Sequence, residues 1–177
     1  YNIIYFLLGI IFVIVFLAKI STIHVEPLDE GAGKDEILKV LDSASEDDIV
    51  FCVYLGQGRG HFIKIKDKAN MLPLLNADEP EDLKVLDVAQ LHTLVLKNIL
   101  KIDTKQPSQQ KYMTYKVDML EALSRVDSGE FDLAFFMNAT RIDQVRNLAE
   151  KGIRLPQKAT FFYPKLLSGL VINKFGV

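Results

Sequence analysis

Lys158, Thr160, Tyr163, Lys165 and Ser168 bring two ammonium groups and three hydroxyls into one short stretch near the end of the chain. Side chains of these types hold anions. Lysine supplies a compact positive charge, and hydroxyls and the amides around Gly169 supply directed donors for phosphate or carboxylate oxygens. Asn138 is a sixth candidate: it follows an apolar run and opens a helix, where ligands sit in α/β crossovers. Thr140, two residues on, is accounted for as a helix cap. The opposing reading lays the stems of Lys158 and Lys165 over Phe161 and Phe162 with only the charged heads in water.

Pro156 and Pro164 lack backbone donors and restrict the residues before them, so no helix or central strand runs through the stretch. Phe161, Phe162 and Tyr163 lie between them and are costly to leave in water. Leu155–Ile172 is therefore expected to be irregular yet packed down, with its lysines fixed.

The elements upstream follow from periodicity. Ile37, Leu38, Val40 and Leu41 give a helix over Asp35–Leu41. Ile49–Leu55 and His61–Lys66 read as strands joined by Gly56-Gln57-Gly58-Arg59-Gly60. That loop leads into a strand rather than a helix, so it reads as a hairpin turn and not a phosphate cradle. Asp87, with Gln90 closing a capping box, opens a helix whose apolar face is Val88, Leu91, Val95 and Ile99. His92 beside that face reads as a partly buried, hydrogen-bonded residue. Tyr112–Lys116 reads as a strand. Asp118 caps a helix facing Leu120, Leu123 and Val126 to the core, and Gly129 ends it. Phe131–Met137 reads as a central strand, and Thr140 caps Arg141–Lys151. Strand, helix, strand, helix implies a parallel pair. The expected fold is α+β, a mixed sheet with a βαβ-type C-terminal portion and a glycine-rich hairpin.

The 177 residues are 49% hydrophobic and 25% charged, as in a globular domain with one core. Lys+Arg 21 against Asp+Glu 23 leaves a charge of -2 and gives no reason to expect a nucleic-acid partner. The single cysteine, Cys52, excludes an internal disulfide and a cysteine metal cage, and its apolar surroundings point to a buried, inert thiol. No metal site is expected. Residues 1–33 divide from 34–177 at a polar connection, Thr22–Gly33. Within the first part, Asn2–Ile20 has two readings. About 20 apolar residues at 1.5 Å each span roughly 30 Å, enough for a transmembrane helix. Gly9 could instead split the run into two buried strands.

Several motifs together resemble the C-terminal half of the domain-of-unknown-function 1015 family. They are Leu86-Asp87-Val88 with Leu91-His92, Asp127-Ser128-Gly129-Glu130, Asn138-Ala139-Thr140 and Pro156–Ile172. The closing stretch is the most specific, with Leu155 where the family has methionine, Ala159 where it has serine, and Ala139 in place of a proline. Tyr1–Leu8 resembles a family strand. The family is distantly reminiscent of ParB/sulfiredoxin-like kinases of free serine. The resemblance implies the anion- or substrate-binding half of a cytoplasmic small-molecule enzyme, with ATP or ADP and Mg as cofactors only if the kinase analogy holds. The catalytic residues would lie in the missing N-terminal half. The alternative is a binding module without chemistry, anchored to a membrane through residues 2–20.

Overall fold

The computed structural model describes residues 23–29, 31–66, 71–72, 75, 79–156 and 159–160. Four strands form one sheet in the order β1-β3-β2-β4 (β1 Ile23–Pro27, β2 Ile49–Tyr54, β3 Gly60–Ile65, β4 Ala134–Met137). Five α-helices accompany it: α1 Lys34–Asp42, α2 Glu81–Lys84, α3 Asp87–Gln90, α4 Met119–Asp127 and α5 Ile142–Glu150. The fold is α+β with a glycine-rich hairpin, as expected.

Strand β2 is buried at every position, so it has no solvent face. Ile49, Phe51 and Val53 enter a core with Ile63 and Ile65 of β3 and with Leu91, Leu94 and Val95. Val50, Cys52 and Tyr54 point the other way, into a second core with Ile37, Leu41, Phe62, Leu123, Val126 and Phe136. Period-2 alternation thus sends one strand's side chains into two cores, with helices on both faces. Helix α1 suits its place: Asp35 and Glu36 lie in its first turn and Lys39 in its last, each favourable to the helix dipole. Its Ile37 and Leu41, four residues apart, are both buried.

Several local expectations change. Thr22–Gly33 is not merely a connection, because Ile23–Pro27 pairs antiparallel with β3; a division at residue 33 would cut that strand from its sheet. Tyr112–Lys116 is no strand. Gln110–Tyr112 is a 3₁₀ turn, and all the strand pairs among the described residues are antiparallel, so no parallel βαβ pair forms among them. Among the described residues β4 pairs only with β2, at the end of the strand order. On the face of β3 opposite Ile63 and Ile65, Phe62 is buried in the second core. Leu120 points to solvent. Asp87 is the first helical residue and not a cap. Arg141, not Thr140, is the cap of α5, and its backbone N–H donates to Gln144 Oε1 at 2.9 Å.

Other terminus signals hold. Asp118 Oδ1 accepts from the Leu120 and Glu121 amides at 2.9 and 3.4 Å, while Glu121 pairs with Lys116 instead of closing the box. Gly129 and Gly152 follow their helices at φ 77° and 67°, the left-handed conformation a helix stop requires. Beyond α3 the helix continues with π winding over Leu91–Ile99 and ends with Leu100 N–H donating to the Val95 carbonyl, five residues back. A π stretch of this length is rare. Apolar spacing alone does not reveal it.

Gly60 opens β3 where a methyl group would collide with the Val53 carbonyl oxygen of the neighbouring strand. Gly60→Ala is expected to destabilise by about 1–3 kcal/mol, the cost of overpacking. Gly33→Ala, which meets open space, should stay within about 0.5 kcal/mol. Urea unfolding midpoints of the two variants test the difference.

Candidate functional site

The C-terminal end of β4 carries one of the candidates, Asn138. Asn138 follows the strand and is half-buried, and its Nδ2 donates to the Leu41 carbonyl at 2.8 Å, satisfying an acceptor at the end of α1. Thr140 Oγ1 donates to the Ala159 carbonyl at 2.8 Å. Ala159 N–H in turn donates to the Pro156 carbonyl at 3.3 Å. Leu155 and Ala159 pack against a third core of Leu86, Val88, Ala89 and Leu148. The beginning of the proline-bracketed stretch is therefore packed down, as its composition demands, and Thr160 beyond it is exposed. Lys158, Tyr163, Lys165 and Ser168 lie outside the described residues, as does Asn2–Ile20.

Asn138 also lines a cleft of about 350 Å³ with Asp42, Glu46, Asp48, Asp87, Arg141 and Gln144. Four carboxylates face one guanidinium there. Arg141 lies 3.3 Å from Asp143 and 3.7 Å from Glu46. The Asp143 hydrogen bond, more than any other contact, holds its guanidinium charged beyond the ordinary arginine range. An anion entering this cleft meets net repulsion. Among the described residues no group of three or more His, Cys, Asp or Glu could hold a metal ion.

The glycine-rich loop does hold an anion, one built into the chain. Gly56 and Gly58 take positive φ, and so does Gln57 at 57°, an uncommon conformation for a residue with a side chain. Asp127, at the end of α4, compensates: its Oδ1 accepts from the Gln57 amide at 2.6 Å and from the Tyr54 hydroxyl at 2.7 Å. Gln57 Nε2 donates to the Asp127 carbonyl at 3.2 Å, and the Gly58 amide donates to the Tyr54 oxygen at 3.0 Å. The hairpin reading stands, and the loop's donors are engaged by the protein's own carboxylate. No motif pointed to Asp127 in this role. Its sequence signals are its place in Asp127-Ser128-Gly129-Glu130 and just before the Gly129 helix stop.

His92 sits on the π stretch with Nδ1 2.9 Å from Thr104 Oγ1 and its ring stacked on Tyr115 at 6.4 Å between centroids. It is a hydrogen-bonded, half-buried residue, as read from the sequence. Burial lowers the pKa of His92 and of His61 below the ordinary value. Cys52 is fully buried, and burial pushes its thiol up to about 12. At neutral pH it stays protonated and is no nucleophile.

No family model matches the chain, and neither a curated protein nor a solved structure matches it.

Asp127→Ala leaves the Gln57 amide and the Tyr54 hydroxyl without their acceptor. It is expected to cost about 1–3 kcal/mol, with Tyr54→Phe costing about 1, both read from chemical denaturation. Acidification gives a second check. A histidine whose folded pKa is lowered stabilises the fold above its unfolded value of 6.5, and that stability is lost as pH falls through it. Melting temperature should therefore drop on acidification through this range, before the carboxylates titrate. His92→Gln should flatten the drop; an unaltered pH profile in that variant would exclude His92 as a source.

Proposed function

We propose that this domain binds a small anionic ligand on the Leu155–Ile172 stretch, as the substrate-holding half of a small-molecule enzyme. The carrying observation is the seat of that stretch. Thr140 Oγ1 bonds the Ala159 carbonyl, and Leu155 and Ala159 pack on the third core, so residues on both sides of Lys158 are tied to the domain. A lysine between fixed neighbours loses less freedom on gripping an anion than one on a free tail. The cleft beside Asn138, lined by four carboxylates and one arginine, is a poorer place for an anion than a lysine-bearing stretch. Lys158 and Lys165 supply charge in this reading, and Thr160, Tyr163 and Ser168 supply hydroxyl donors.

The family resemblance adds a reaction class: phosphoryl transfer from ATP or ADP, with Mg, to a free amino acid such as serine, in the cytoplasm. Catalytic residues would come from the family's other half. A module that binds without chemistry is the second reading. It is favoured by the glycine-rich loop, whose Gln57 amide is already taken by Asp127 and whose Gly58 amide is taken by Tyr54, so neither is left to cradle a nucleotide phosphate.

Calorimetric titration of the chain with inorganic phosphate and with phosphoserine tests the binding. Lys158→Ala combined with Lys165→Ala should weaken it at least about ten-fold, roughly 1.4 kcal/mol. Unchanged affinity in that variant would remove the lysines from the site. Nucleotide turnover by a protein that carries both halves of the family would select the enzyme; binding without turnover would select the module.

A further inference from the structure

Between the π stretch and α4 the chain makes a long loop that bonds mainly to itself. The Gln106 amide donates to the Asp103 carbonyl, the Gln109 amide to Gln106, Tyr112 to Gln109 and Met113 to Gln110. Gln109 Oε1 accepts from the Asp103 amide, and Gln110 Nε2 donates to the Thr104 carbonyl at 3.2 Å. No residue from Asp103 to Tyr115 belongs to any of the three cores. Such a self-bonded loop is a unit of its own. At its root Lys101 takes φ 59°, a sparsely populated conformation for a residue with a side chain. Among the described residues, two side-chain ties fasten the loop to the rest. One is the Lys105–Glu79 ion pair, whose lysine is largely exposed and holds weakly. The other is His92, which bonds Thr104 at the start of the loop and stacks on Tyr115 at its end.

We propose that Asp103–Tyr115 is a flap that lifts as one body from the π stretch, with His92 as its clasp and acid as the signal that releases it. The clasp holds while the imidazole is neutral, because the half-buried ring is denied the water that its cation needs. Burial alone lowers the pKa of His92, with no charged neighbour contributing. The charged groups of the adjoining elements are engaged elsewhere or point to water. Asp103 accepts from the Lys105 amide, Lys105 pairs with Glu79, Lys116 pairs with Glu121, and Lys97 on the π stretch is exposed. Lifting returns the ring to water, so protonation favours the lifted state. The clasp is thus strongest above the free histidine value of 6.5 and is lost as pH falls through the lowered folded value. The proposal is independent of the ligand site on Leu155–Ile172.

The test is electron–electron dipolar spectroscopy on the full chain, spin-labelled at Lys97→Cys on the π stretch and Ser108→Cys on the flap, both exposed positions. Cys52 is fully buried and takes no label. At about pH 7.5 the labelled chain should give one short distance. At about pH 5, where carboxylates are still charged, a longer distance should gain at least about three-fold in population. His92→Gln cannot titrate and should give the same distances at both pH values. Thr104→Val with Tyr115→Ala removes both partners of the clasp and should show the longer distance at both. Identical distributions at the two pH values in the labelled chain overturn the proposal, and so does an acid response that survives His92→Gln. A longer distance that appears only together with loss of circular dichroism also overturns it, because the whole domain is then unfolding.

Discussion

Burial of β2 on both faces is the constraint from which the rest of the architecture follows. Six consecutive side chains, Ile49 to Tyr54, leave water, and alternation divides them between two cores. Each core then needs its own cover. On one side, Ile37 and Leu41 of α1 and Leu123 and Val126 of α4 provide it; on the other, the helix carrying Leu91, Leu94 and Val95 does. Removing Phe51, which is fully buried, would open a cavity at the centre of the first core, a change of the kind that costs about 3–5 kcal/mol. Residues on either side of β2 have consequences for its last residue too. Tyr54 points its ring into the second core and its hydroxyl to Asp127, so the loop that follows is fastened to α4.

What the sequence makes legible here is local chemistry with a short reach. The β2–β3 hairpin was readable because glycines sit between two apolar runs. The Asp118 cap, the Gly129 and Gly152 stops and the inert Cys52 were readable because each depends on near neighbours or on an evenly apolar setting. The misses have physical reasons as well. Ile23–Pro27 looks polar because two of its side chains, His24 and Glu26, are exposed on an edge strand, and pairing with β3 is what makes it a strand. Tyr112–Lys116 has the composition of a strand but finds no partner strand among the described residues. Intrinsic β-propensity is largely a matter of having something to pack against, so composition misleads there. The π winding after Gln90 changes hydrogen-bond register without changing residue types.

At the end of β4, the place of Asn138 and Thr140 was legible, and the illegible part was that both polar groups were already engaged. Asn138 and Thr140 lie at the end of β4 as anticipated, yet each donates to a backbone carbonyl, Leu41 and Ala159 respectively. Both bonds span long sequence separations, so no motif could announce them. The acidity of the cleft likewise comes from two separate segments, Asp42, Glu46 and Asp48 at and just after the end of α1 and Asp87 on α3, facing Arg141 from a third.

These engaged groups shift where recognition can occur. Near the end of β4 the amide and hydroxyl serve the fold, and the loop amides of Gln57 and Gly58 serve Asp127 and Tyr54. Donors already satisfied within the protein gain little from an incoming ligand, because a new bond must first replace an old one. Thr140 adds a tie of the same kind: by donating to the Ala159 carbonyl it joins the end of β4 to the beginning of the proline-bracketed stretch, so what its hydroxyl contributes is position within the fold rather than a free donor.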